Sequence, residues 1–140
     1  MTVLGLLGRI TLPGRTESAA CARAWTRTAL ATRHQAVRDD VLLLVSELVT
    51  NAVRHSDSAR PGGTITLTLS EPAPGLIRIE VTDAGSPADT PHVRPRPDDH
   101  DENGRGLLIV QTIATAWGRH DTATGRTTWC EIPTTDHAAR

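Results

Sequence analysis

Between Val41 and Val53 the chain is apolar at Val41, Leu42, Leu43, Leu44, Val45, Leu48, Val49, Ala52 and Val53. These positions cover nearly the whole circumference of a helix, which predicts a core helix over about Ala36–His55. Upstream, Glu17 to Ala31 reads as a second helix opened by Thr16, with Ala20, Ala24, Trp25 and Ala29 as its packing residues. Residues 2–12 form an edge strand leading into Pro13-Gly14, and Ser56 to Gly63 is a loop. Next, Ile65, Leu67 and Leu69 alternate with threonines, and Ile77, Ile79 and Val81 alternate with Arg78, Glu80 and Thr82. A period of two with one polar face predicts antiparallel strands covered on one side, joined by a hairpin loop over Glu71–Gly75.

The alternation stops at Ser86. Pro87, Pro91, Pro95 and Pro97, together with the run Asp98-Asp-His-Asp-Glu102, leave nothing to bury as far as Asn103. A loop this long in a compact domain reads as a lid, at about 86–103. Leu107 to Trp117 then predicts a helix and Thr127 to Ile132 a last strand. The fold class expected is α+β: a two-layer α/β sandwich, mainly antiparallel, with helices on one face. At 140 residues the chain reads as a single domain over 1–140.

Charge and composition narrow the chemistry. The formal net charge is -1, so there is no nucleic-acid footprint. Every basic residue other than histidine is arginine, which excludes a catalytic or phosphate-binding lysine. Cys21 and Cys130 lack metal-ligand spacing and read as free buried thiols of a reducing cytoplasm. Val3 to Leu7 is too short for a membrane span, and no signal-peptide layout follows it.

Three short motifs carry candidate chemistry. Glu47 and Asn51 are four apart and share one helix face, with His55 a turn further on. A buried carboxylate is costly unless paired, and a pocket holding a cation and an activated water would relieve that cost. The plainer alternative is that Glu47 caps a loop and Asn51 bonds a strand. Asp83-Ala-Gly85 ends the Ile77–Thr82 strand, where an acid can accept from an exocyclic amine and glycine lets a flat ring approach; a plain turn would use the same residues. Asn103-Gly104-Arg105-Gly106 opens a helix whose first amides favour phosphate, although capping alone explains such glycines. There is no Gly-Lys-Ser/Thr phosphate loop and no dinucleotide fingerprint.

In this order and spacing, the motifs resemble the GHKL ATP-binding superfamily, which includes gyrase, heat-shock chaperones, histidine kinases and mismatch-repair ATPases. The wording Ser46-Glu-Leu-Val-Thr-Asn-Ala-Val-Arg-His55 is most similar to the stand-alone serine kinases that act as anti-sigma factors. The resemblance runs from about Val37 to Ile132. It implies that Asn51 coordinates Mg²⁺ on the ATP phosphates and that Glu47 is general base on the attacking hydroxyl. It further implies that Asp83 reads the adenine amine with Gly85 giving clearance, and that Gly104 and Gly106 shape the phosphate end of the lid. Arg105 would reach the β- or γ-phosphate, and Thr127 would support the adenine-binding Asp83. His55 matches a frequent family histidine; packing or capping explains it equally well. One departure is Pro87, where many family members carry a second glycine; proline stiffens the lid hinge and removes an amide.

The resemblance implies a cytoplasmic serine/threonine kinase using ATP and Mg²⁺. Its partners would be a sigma factor and an anti-sigma antagonist, in a homodimer by family precedent, with no direct nucleic-acid or membrane partner. A second reading keeps ATP binding without catalysis. A histidine-kinase catalytic domain is disfavoured, since one helix precedes the core helix and His34 lacks the acid and proline of a phospho-acceptor site. Metal binding by Asp98, Asp99, His100 and Asp101 is disfavoured too, since acidic runs are ordinarily solvated.

Overall fold

A computed structural model describes residues 5–54, 62–84, 110, 112–122 and 125–134. Strand β1 (Leu6–Pro13) leads through a short turn into helix α1 (Ser18–Ala29) and then the long helix α2 (Gln35–Arg54). Strands β2 (Thr64–Ala73) and β3 (Leu76–Asp83) form a hairpin, and β4 (Ala116–Thr122) and β5 (Gly125–Pro133) form another. The sheet order is β1-β2-β3-β5-β4, antiparallel at every step, so β3 and β5 lie side by side inside it. This is the α+β, helices-over-antiparallel-sheet architecture that the alternation predicts.

Register explains which side is covered. Leu67 pairs with Val81 and Leu69 with Ile79, and Ile79 in turn pairs with Cys130 and Ile77 with Ile132. All of these are buried, and they meet Val37, Val41, Leu44, Val45, Leu48 and Val49 of α2. Each large apolar side chain removed from water here contributes about 1.5–3 kcal/mol. The other face is polar. Arg78 bonds Glu80 at 2.7 Å and Glu131 at 2.8 Å, and its guanidinium lies 4.1 Å from the centre of the Trp129 ring.

Several expectations are corrected. Helix α2 is not buried all round: Leu43 is 41% exposed, and Glu47 and Asn51 are half-buried. Helix α1 begins at Ser18, with Glu17 as N-cap and no side-chain cap; the Ser18 hydroxyl instead donates to the Pro13 carbonyl at 2.5 Å. Its packed face is Ser18, Ala22 and Thr26, with the expected Trp25 and Ala29 partly buried against the core, whereas Ala20 and Ala24 are exposed, as is Cys21. The hairpin loop is tighter than Glu71–Gly75, because β2 runs on to Ala73 and Gly75 makes the turn with a φ of 78°. Finally, the helix expected up to Trp117 gives way to β4 at Ala116. That strand was illegible because Ala116-Trp-Gly-Arg-His-Asp-Thr122 has one large apolar residue and no alternation.

The loop at 56–61, the lid at 86–103 and His55 lie outside the described residues. Among the described residues no helix is long and apolar enough to cross a membrane.

Cys130 offers a test of this core. Burial first, helped by the charge of Glu131, pushes its thiol up from 9.0 to about 12. Between those pH values the unfolded chain gives up this proton while the folded chain keeps it. Stability therefore falls as pH rises above 9, by up to about 1.4 kcal/mol per pH unit, and this group leaves it unchanged below. Cys130→Val lacks that loss. Denaturation curves from about pH 8 to about pH 11 are expected to show the gap between wild type and variant changing steadily in the variant's favour; a constant gap would contradict a sealed thiol.

Candidate nucleotide-binding site

The path of the chain brings the two candidate motifs to one end of the sheet. Helix α1 leaves the sheet at Pro13, beside Thr64 in the β1–β2 register. At the other end of the molecule Arg33 bonds Glu71 at 3.1 Å, which pins the start of α2 near the β2–β3 hairpin. From there α2 rises about 24 Å to Asn51, at 1.5 Å per residue. From Glu71 back to Thr64, β2 covers about 23 Å at 3.3 Å per residue. Asn51 is therefore level with the sheet end where Thr66 pairs with Thr82 and β3 finishes at Asp83.

Asp83 continues the series Ile77, Ile79, Val81, so its side chain belongs to the helix-facing side of β3, and it is 6% exposed. Helix α2 packs over the same strand. On α2, Glu47 and Asn51 lie at the border between the packed sector (Val37, Leu44, Leu48) and the solvent sector (Asp39, Leu43, Arg54). Such a border position escapes the burial cost that the apolar pattern had implied, because solvent still reaches both side chains. The oxygens of Asn51 and Glu47 are the hard donors that Mg²⁺ prefers, and few protein ligands suffice because that ion keeps waters and phosphates. Among the described residues no cluster of three His, Cys, Asp or Glu could hold a metal alone.

Two residues near Asp83, Gly125 and Thr128, had no place in the expected site. Gly125 opens β5 directly against the end of β3, and a Cβ there would overlap the backbone carbonyl oxygen of Asp83. Thr127 is on the wrong face to back Asp83. It pairs with Thr82, and the two hydroxyls bond each other at 2.9 Å on the polar side of the sheet. Thr128 pairs with Val81 and so shares the face of Asp83, one diagonal step away. The signal available was the alternation Thr128, Cys130, Ile132, which assigns Thr128 to the apolar side. Gly85, Gly104, Arg105 and Gly106 lie outside the described residues.

An acid at the end of β3, a glycine-cleared strand beside it and the Glu/Asn pair on the overlying helix coincide with a family match. The model of the histidine kinase-like ATPase domain matches residues 12–131. The chain belongs to that family. Membership implies ATP binding. Among solved structures, the RsbU and RsbW domains of Rv1364c from Mycobacterium tuberculosis share the fold. That match has a TM-score of 0.63 and 22% identity over 90% of this chain, which spans 31% of the other. Comparison with curated proteins finds no match.

Proposed function

We propose that this histidine kinase-like ATPase domain is a serine/threonine protein kinase of the anti-sigma-factor type. On this reading it transfers phosphate from ATP to an anti-sigma antagonist and so regulates a sigma factor by partner switching. The observation that carries the proposal is the stacking of Glu47 and Asn51 on one half-buried border of α2, the helix that packs over the strand ending at the buried Asp83. The wording of Ser46–His55 supports the branch.

In this reading Asp83 accepts from the adenine amine, with Gly125 keeping its backbone close to β5. Asn51 holds Mg²⁺, which when bound neutralises and orients the phosphates. Glu47 takes the proton of the attacking hydroxyl as its oxygen bonds the γ-phosphorus and the bridging bond to ADP breaks. Gly85, Gly104, Arg105 and Gly106 would enclose the ring and the phosphates. Pro87 favours a second reading, in which a stiffened lid leaves a regulatory ATP-binding module without transfer.

The test is to incubate the purified protein with Mg-ATP labelled at the γ-phosphate and candidate antagonist proteins, with nucleotide affinity measured in parallel. Expected are micromolar binding, about −8 kcal/mol, and label on a serine or threonine. Binding without transfer would replace the kinase by the module, and no binding would remove both.

A further inference from the structure

The surface of α2 holds one large exposed apolar residue, Leu43, and its position relative to Glu47 gives it a use. Val41, Leu44, Val45, Leu48 and Val49 of the same helix are all 2% exposed or less, whereas Leu43 is 41% exposed. Leu43 is four residues before Glu47, so it lies about 6 Å back along the axis and about 40° round, toward solvent. Exposure falls along the row Asp39, Leu43, Glu47, Asn51: the first two are exposed and the last two half-buried. The row is a ramp from open solvent down to the position proposed for the phosphates. On its far side Arg23 of α1 reaches Ser46 at 3.3 Å, and so bounds the approach there.

An isolated exposed leucine ordinarily needs no explanation. Here the chemistry supplies one. A hydroxyl that Glu47 deprotonates must come within about 3 Å of its carboxylate. A polypeptide that brings that hydroxyl down the ramp would lay its flanking residues over Leu43. We propose that Leu43 is a specificity-determining residue for the protein substrate, contacting an aliphatic side chain next to the acceptor serine or threonine. The inference rests on the kinase reading above and adds to it the chemistry of the acceptor segment.

The experiment measures phosphate transfer from Mg-ATP to the candidate antagonist proteins by wild type, Leu43→Ala and Leu43→Asp, with ADP affinity and melting temperature for each. KM for the accepting protein is expected to rise about tenfold in Leu43→Ala, the scale of one lost apolar contact. It should rise further in Leu43→Asp, with kcat, ADP affinity and melting close to wild type in both. Wild-type KM in both variants would overturn the inference and leave the kinase reading intact. A loss of ADP affinity in step with KM would overturn it as well, since Leu43 would then act through the helix. A wild type that labels none of the candidates removes the kinase reading, and this inference with it.

Discussion

Glu47→Ala is expected to lower phosphate transfer by about 10²–10⁴-fold while Mg-ATP affinity stays within a few-fold of wild type. The side chain is half-buried on the border of α2, so truncation opens space to water rather than a sealed cavity. The melting temperature should therefore change little, which separates a lost base from a damaged core. Asn51→Ala provides the contrast: it should lose nucleotide affinity and transfer together, because it removes the proposed Mg²⁺ ligand. Single-turnover transfer, calorimetry and a melting curve on the two variants make the comparison. A folded Glu47→Ala protein that transfers phosphate at the wild-type rate would end the base assignment.

Gly125→Ala is expected to have the largest effect on nucleotide affinity of any single methyl added to the sheet. The new Cβ would collide with the carbonyl oxygen of Asp83, which is backbone and cannot rotate away. Either β3 and β5 separate at their shared end, at a cost of roughly 1–3 kcal/mol, or Asp83 shifts. Both displace the acid from the ring it would read, and ADP affinity should fall about tenfold or more. Gly118→Ala distinguishes this from general overpacking. Its Cβ would meet the Trp129 side chain at 2.8 Å on the polar face, away from Asp83. That variant should lose stability while ADP affinity holds. If Gly125→Ala binds ADP and melts as wild type does, the tight seam between β5 and Asp83 does not exist.

The elements with strong periodicity were legible in the sequence. Strands β2 and β3 follow the alternations at Ile65–Leu69 and Ile77–Val81, and α2 follows the run from Val41 to Val53. Asp83 at a strand end and the Glu47–Asn51 spacing were legible for the same reason, since both depend only on local period. What failed depended on neighbours. Strand β4 is an edge whose place comes from pairing with β5 rather than from its own composition. The face of Thr127 hinged on one position of register, and a slip of one turns every side chain over. The exposure of Leu43 and Cys21 depends on how α1 and α2 lean on each other and on the sheet, which an apolar count on one helix cannot contain.

The interleaved strand order has a consequence for how the protein is made. Strand β3 has β2 on one side as soon as the hairpin emerges, but its other neighbour is β5, whose residues come more than forty positions later. A nascent chain that has reached Asp83 thus displays an unpaired strand edge with one apolar face, the kind that recruits other chains. It stays open until residues 125–133 leave the ribosome. The seam that closes last is the one against which Gly125 and Asp83 are pressed. If Asp83 reads the adenine as proposed, recognition belongs to the finished sheet alone, and adenine nucleotide supplied during refolding should select chains that have completed that final pairing.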